Sequence, residues 1–130
     1  MKEHKLFKIS QNIVLFNLTS AKVLILEKDG KWLLPGGRLE VGEESYSGLF
    51  REVFEEIGIR DFVVSKIWDV RVSDSGDSYI VTFVGKTTVE SEIKLSSEHQ
   101  AYMWVGADDL EGVNFWHPSI YETLKIIIGR

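Results

Sequence analysis

The stretch that most constrains this chain runs from Gly37 to Ile59, GRLEVGEESYSGLFREVFEEIGI. Its second half carries Glu52, Glu55 and Glu56 at offsets i, i+3 and i+4, and a helix of 3.6 residues per turn gathers those positions on one face. Tyr46, Leu49, Phe50, Val53, Phe54 and Ile57 gather on the other side, so the helix has an apolar stripe to bury and its rotation is fixed. The acids then cannot turn away from one another. Like charges on one helix face cost stability unless a cation sits among them, and a hard divalent metal that prefers oxygen ligands is the natural remedy.

The same stretch marks the ends of its helix. Gly42 and Glu43 precede the apolar period, with Glu43 and Glu44 favourable near the positive end of the helix dipole, and Gly58 suits a left-handed residue closing it. Ahead of the helix, Pro35-Gly36-Gly37 reads as a turn with no side chains in the way, open to the close approach of a phosphate or metal. Arg51, beside Glu52, can hold a carboxylate through its planar fork.

These residues together resemble the Nudix box, G-x5-E-x7-R-E-U-x-E-E-x-G-U with U a bulky aliphatic. Gly37, Glu43, Arg51, Glu52, Val53, Glu55, Glu56, Gly58 and Ile59 occupy its fixed positions. Gly48 departs from the small alanine usual in the family, at an expected cost of about 1 kcal/mol in a helix interior. The resemblance implies a MutT-like pyrophosphohydrolase with an α/β fold, the Nudix α/β/α sandwich, in which a mixed β-sheet lies between helices. It implies that Glu55 and Glu56 are metal ligands, that Glu52 is a ligand or the base for the attacking water, and that Arg51 orients Glu52. Glu43 has a supporting role, and the Gly37 carbonyl is a further metal contact. Members often recruit one more acid from outside the box. Glu98, in SSEHQAYMWV, is similar to that position, with Glu90 and Glu92 as alternatives.

Length and charge narrow the rest. A chain of 130 residues suits one domain, spanning 1–130. Fifteen basic against twenty acidic residues leave a net charge of −5, which disfavours nonspecific binding to nucleic acid or an anionic membrane. No apolar run approaches membrane-spanning length, and the absence of cysteine excludes disulfides and thiolate metal sites and suits a cytoplasmic protein. With carboxylates rather than thiolates in the pattern, Mg²⁺ is the metal expected and Mn²⁺ its substitute.

In chain order, Lys8 to Thr19 and Lys22 to Glu27 read as strands, the second buried on both faces. Asp29-Gly30 is a hairpin turn leading into Lys31 to Leu34. After the box, Asp61 to Val72 and Ser78 to Val89 form an antiparallel pair, Glu90 to Gln100 is a polar interruption, Ala101 to Val105 is a short strand, and Ser119 to Ile128 is a second helix.

A small nucleotide is the expected partner, with homodimerisation left open. The expected reaction is Mg²⁺-dependent cleavage of a phosphoanhydride in a nucleoside diphosphate linked to another group, foremost a (deoxy)nucleoside triphosphate giving monophosphate and pyrophosphate. A nucleotide sugar, ADP-ribose or a dinucleoside polyphosphate is the alternative substrate, and a noncatalytic nucleotide sensor the alternative function. Trp68, Tyr79, Tyr102 and Trp116 are candidates to stack on a base, Asn114 to read its edge, and His99 and His117 to touch substrate.

Overall fold

The structure is a computed structural model that describes residues 2–88 and 93–129. Seven strands form one mixed sheet: β1 (Lys8–Asn17), β2 (Lys22–Lys28), β3 (Lys31–Leu33), β4 (Gly36–Arg38), β5 (Val63–Val72), β6 (Ser78–Thr87) and β7 (Ala101–Val105). Their order is β3-β2-β1-β6-β5, with β4 paired to β1 and β7 to β2. β1 and β6 run parallel along ten residue pairs, and the other pairings are antiparallel. The β2–β3 turn follows its sequence signal: Asp29 and Gly30 both take positive φ, 52° and 79°, as a tight two-residue hairpin requires.

Alternation along the central strands separates two cores. Ile13 and Leu15 of β1 and Leu24 and Leu26 of β2 join Leu49, Val53 and Ile57 of helix α1 (Ser45–Ile57). Their neighbours Val14, Val23 and Ile25 point to the opposite face and meet Ile120 and Leu124 of helix α2 (Pro118–Ile128). One helix therefore covers each face, the α/β/α sandwich expected. Each fully buried aliphatic side chain contributes about 1.5–3 kcal/mol, so helix positions are set mainly by these two stripes.

Two local details differ from the sequence reading. Gly36 and Gly37 are not in a free turn but in β4, where Gly36 pairs with Asn12 and Gly37 with Gln11. Only glycine fits there: a Cβ on Gly36 would lie 2.1 Å from the Gln11 carbonyl oxygen. Helix α1 is capped by Glu44, one of the two acids expected near its positive end, whose carboxylate accepts from the Ser47 amide at 3.1 Å. Its buried face is also rotated from the one expected. Tyr46 remains 49% exposed and Phe54 only partly buried, while Gly48 and Glu56 are buried. Gln11 fixes that rotation. Its Nε2 donates to the Ser45 carbonyl at 2.8 Å and its Oε1 accepts from the Ser45 hydroxyl, tying the start of α1 to β1.

Gly58 ends α1 in left-handed conformation with its amide bonded to the Phe54 carbonyl, as its position suggests. Gly48 has a steric reason of its own, since a Cβ there would come within 2.4 Å of Leu39 Cδ1 and 2.9 Å of Glu43 Oε1. Glu90 and Glu92, and the expected end of β6 at Val89, lie outside the described residues. Among the described residues no helix is long and apolar enough to cross a membrane.

Candidate active site

The acids of α1 do not form one solvated face. Glu56 points inward and is only 6% exposed, because it shares the side of the helix that carries Val53 and Ile57. Its Oε1 accepts from the Gly36 amide at 2.6 Å, and its Oε2 lies 3.4 Å from His99 Nε2. Burial pushes its carboxyl up to about 8, only partly offset by the Gly36 amide, and the charges of Glu52 and Glu98 push it further. Glu52 sits one turn earlier, directly over Gly37. A Cβ on that glycine would lie 2.3 Å from the Glu52 carboxyl carbon, so the missing side chain is what lets this carboxylate stand against β4. Burial raises the Glu52 carboxyl as well, opposed by the adjacent Arg51.

Arg51 binds four acids. Its Nε and Nη2 grip Glu43 bidentately at 2.5 and 2.9 Å, its Nη1 donates to Glu52 at 2.9 Å and to Glu55 at 3.2 Å, and Glu40 lies at 3.5 Å. The Glu52 contact expected of Arg51 is present, but the shorter, two-pronged one is with Glu43, whose carboxyl the guanidinium holds down at about 2. Nη2 also donates to the Arg38 carbonyl, which ties the helix to the end of β4. Glu55 stands outermost, its side chain 60% exposed.

Glu98 arrives from a distant segment. The Lys94 and Ser96 amides donate to the Ile57 and Glu56 carbonyls at the end of α1, and the Gln100 amide donates to the Glu27 carbonyl. Those bonds hang the 93–100 loop across the helix end and bring Glu98 and His99 to Glu56. One ligand atom from each of Glu56, Glu98 and His99 lies within 4.8 Å of the others. Burial holds the His99 ring below its usual protonation range, and its Nδ1 is buried without a hydrogen-bond partner. A buried carboxylate, an exposed one and a neutral imidazole in this spacing suit a divalent cation, which would supply the positive charge that Glu56 lacks.

Across β4, on the α2 face, lies a cleft of about 430 Å³. Ser10, Asn12, Ile80 and Thr82 form its floor, and Leu34 and Trp116 are among its walls. Leu34 stands two residues before Gly36, so the cleft and the acids share the β4 segment as a common border. Trp116 is 50% exposed at the cleft. His117 also lines it, but its ring caps α2, accepting from the Ser119 amide, and meets Asp74 at 3.1 Å through Nε2. Trp68, Tyr79, Tyr102 and Asn114 are not among the cleft residues. Tyr79 packs edge-on against Phe7, Trp68 lies under Lys66, and the Asn114 amide donates to the Gly30 carbonyl. Sequence reasoning does not find the floor residues. Their signal is faint: Ser10, Asn12 and Thr82 are polar at positions where strand alternation would otherwise place core side chains.

Comparison with known proteins agrees with this geometry. The family model described as NUDIX domain matches residues 7–124. Asymmetrical bis(5'-nucleosyl)-tetraphosphatase from Rattus norvegicus is 31% identical over 104 residues, covering 72% of this chain and 69% of that protein. Nucleoside triphosphatase NudI from Escherichia coli is 31% identical over 93 residues, covering 62% and 65%. The crystal structure of MutT protein from Methanosarcina mazei Go1 superposes with a TM-score of 0.76 at 25% identity, covering 97% of this chain and 96% of that one. With the family model spanning helix α1 and the described site and reaching into α2, this chain belongs to the Nudix family and is a phosphoanhydride hydrolase.

Proposed function

We propose that the protein hydrolyses a (deoxy)nucleoside triphosphate to the monophosphate and pyrophosphate with Mg²⁺, for which Mn²⁺ can substitute. The observation that carries this reading is the shared border. One short glycine strand has buried and half-buried carboxylates on one side and a cleft of nucleoside size on the other. A nucleotide whose base enters the cleft lays its phosphates across Gly36 and Gly37 toward the acids. The nucleoside triphosphatase among the relatives supports the triphosphate, although its identity to this chain leaves sugar and base open.

In this reading Glu55, Glu56 and Glu98 would hold the metal with the Gly37 carbonyl, and Glu52 would be a further ligand or the base. When bound, a divalent cation neutralises phosphate oxygens and lowers the pKa of a water. The chain's residues do the rest. His99 steadies the Glu56 carboxylate, and Arg51 fixes Glu52 over Gly37. As the water oxygen bonds to phosphorus and the bridging P–O bond breaks, Glu52 accepts the water's proton. The retained acids argue against a noncatalytic sensor.

The test is a panel of nucleoside triphosphates, nucleotide sugars, ADP-ribose and dinucleoside polyphosphates, assayed with Mg²⁺ and Mn²⁺ and with products identified. Monophosphate and pyrophosphate from a triphosphate are expected. Turnover confined to the dinucleoside compounds would move the substrate, and turnover of none would remove the hydrolase reading.

A further inference from the structure

We infer that Lys28 holds the far end of the substrate, the two phosphates released together as pyrophosphate, and so selects a substrate that ends in phosphate over one that ends in a sugar. This inference rests on the proposed reaction and names the side chain that reads the group beyond the scissile bond. Lys28 belongs to β2, outside the Gly37 to Glu56 stretch. Alternation nonetheless places it on the acid side of the sheet. Leu24 and Leu26 enter the α1 core and Ile25 the α2 core, and Lys28 continues the first series.

Two hydrogen bonds fix that end of β2 against the loop that carries Glu98 and His99. The Gln100 amide donates to the Glu27 carbonyl at 2.9 Å, and the Asp29 amide donates to Gln100 Oε1 at 2.9 Å. Lys28, between the two anchored residues, is held near the buried pair. Its charge acts on both Glu56 and His99, whereas Arg51 is the cation that acts on Glu52. The acids therefore lie between two cations in opposite states. The Arg51 guanidinium is engaged by four carboxylates and has little left for a substrate. Lys28 is half-buried, and its ammonium has no salt bridge or hydrogen bond among the described residues.

The hairpin gives a second sign that an anion belongs here. Lys28 and Lys31 are cross-strand partners, so two like charges stand opposite one another beside the β2–β3 turn, an arrangement that costs stability on its own. Lys31 turns to Trp116, 5.6 Å from its ring centroid, and leaves Lys28 as the cation beside the acids. In a chain of net charge −5, a polyphosphate arriving at crowded carboxylates gains from such a group. A nucleotide with its base in the cleft and its phosphates across Gly36 and Gly37 brings its last phosphates past Glu56 to this lysine. An ammonium is a compact charge with three donors, suited to the oxygens of a terminal phosphate, and it gains far less from uncharged sugar hydroxyls.

Calorimetric binding of inorganic pyrophosphate and of ribose 5-phosphate, each at saturating Mg²⁺, tests the contact without requiring hydrolysis. Ribose 5-phosphate has a single phosphate for the metal and puts a sugar in the place beside Lys28. Pyrophosphate should bind at least about tenfold more tightly. Lys28→Met should weaken pyrophosphate by about 10- to 100-fold and ribose 5-phosphate by less than about threefold. Lys28→Arg keeps the charge and should hold pyrophosphate within about threefold of the unmodified protein. Mg²⁺ affinity without phosphate should agree within about threefold in all three proteins, which shows that the acids and the fold are intact. A lysine that merely steadied Glu56 would, on removal, shift Mg²⁺ affinity or weaken both anions together. Either result, or a pyrophosphate preference unmoved by Lys28→Met, would overturn the inference. Failure of every triphosphate to turn over would instead count against the proposed hydrolysis, since pyrophosphate binding is read separately.

Discussion

The two faces of the sheet are built differently. On the α1 face, Gly37, Glu43, Arg51, Glu52, Glu55 and Glu56 come from twenty consecutive residues, and a single guanidinium links three of these acids and Glu40. On the α2 face, the cleft takes its residues from β1, β5, β6 and the start of α2, segments that meet only once the sheet has formed. In the proposed reaction, chemistry common to many substrates falls to the local unit, and contacts able to distinguish substrates fall to the assembled one. Changes on the first face should therefore lower kcat, and changes on the second should raise KM.

The sharpest test is Glu56→Gln. It keeps the shape of the buried side chain and removes its charge, so kcat should fall about a thousandfold or more with the circular dichroism spectrum unchanged. A KM effect with kcat preserved would break the comparison at its strongest point.

The next effect concerns stability. Burial raises the Glu56 carboxyl from an ordinary 4.5 to about 8. The metal-free native state thus keeps a proton that the unfolded chain releases. That contribution is full below the unfolded value and is lost as pH rises from 4.5 toward 8, on the order of a few kcal/mol. Thermal melts of metal-free protein should show a midpoint falling over that window, with Glu56→Gln flattening the fall and Mg²⁺ restoring the midpoint at the alkaline end. A midpoint rising with pH in metal-free protein would contradict the burial argument.

Gly37→Ala would force a Cβ into the Glu52 carboxyl group and should reduce activity about 10- to 100-fold, as for other groups that orient a ligand. On the opposite face, Trp116→Ala should raise KM roughly tenfold with kcat nearly unchanged, since base stacking on an aromatic ring is worth about 1–3 kcal/mol. A kcat loss there would mean that the two faces are coupled. The smallest effect is expected for Gly48→Ala. The gain of about 1 kcal/mol in helix propensity is set against displacement of Leu39 and the Glu43 carboxylate, and the melting midpoint should move by only a few degrees.

Much of the α1 face is legible in the sequence, since helical spacing puts residues three and four apart together wherever the helix is placed. Spacing misleads where a neighbour decides the outcome. It sets Glu56 on an open acidic face, but Gln11 and the Gly36 amide hold that residue inward. Two consecutive glycines after a proline suggest a turn, but β1 gives Gly36 and Gly37 strand partners. Glu98 is marked only by resemblance, and its approach to Glu56 depends on hydrogen bonds from the 93–100 loop to the end of α1, which no local pattern announces. The cleft residues are scarcely visible, because three polar side chains on apolar strands do not reveal which strands will be neighbours.

What the sequence determined by itself was the family, the two helices and the identity of the acidic group, because each depends on spacing within a single element. What only the tertiary structure decided was which acid is buried, which histidine stands beside it and which strand residues floor the cleft. Those depend on strand order and register, and with them on contacts between residues as far apart as Asn12 and Thr82. A one-residue shift in that register would turn every floor side chain to the other face, which is why the pairing, rather than the composition of any strand, fixes what the cleft can bind.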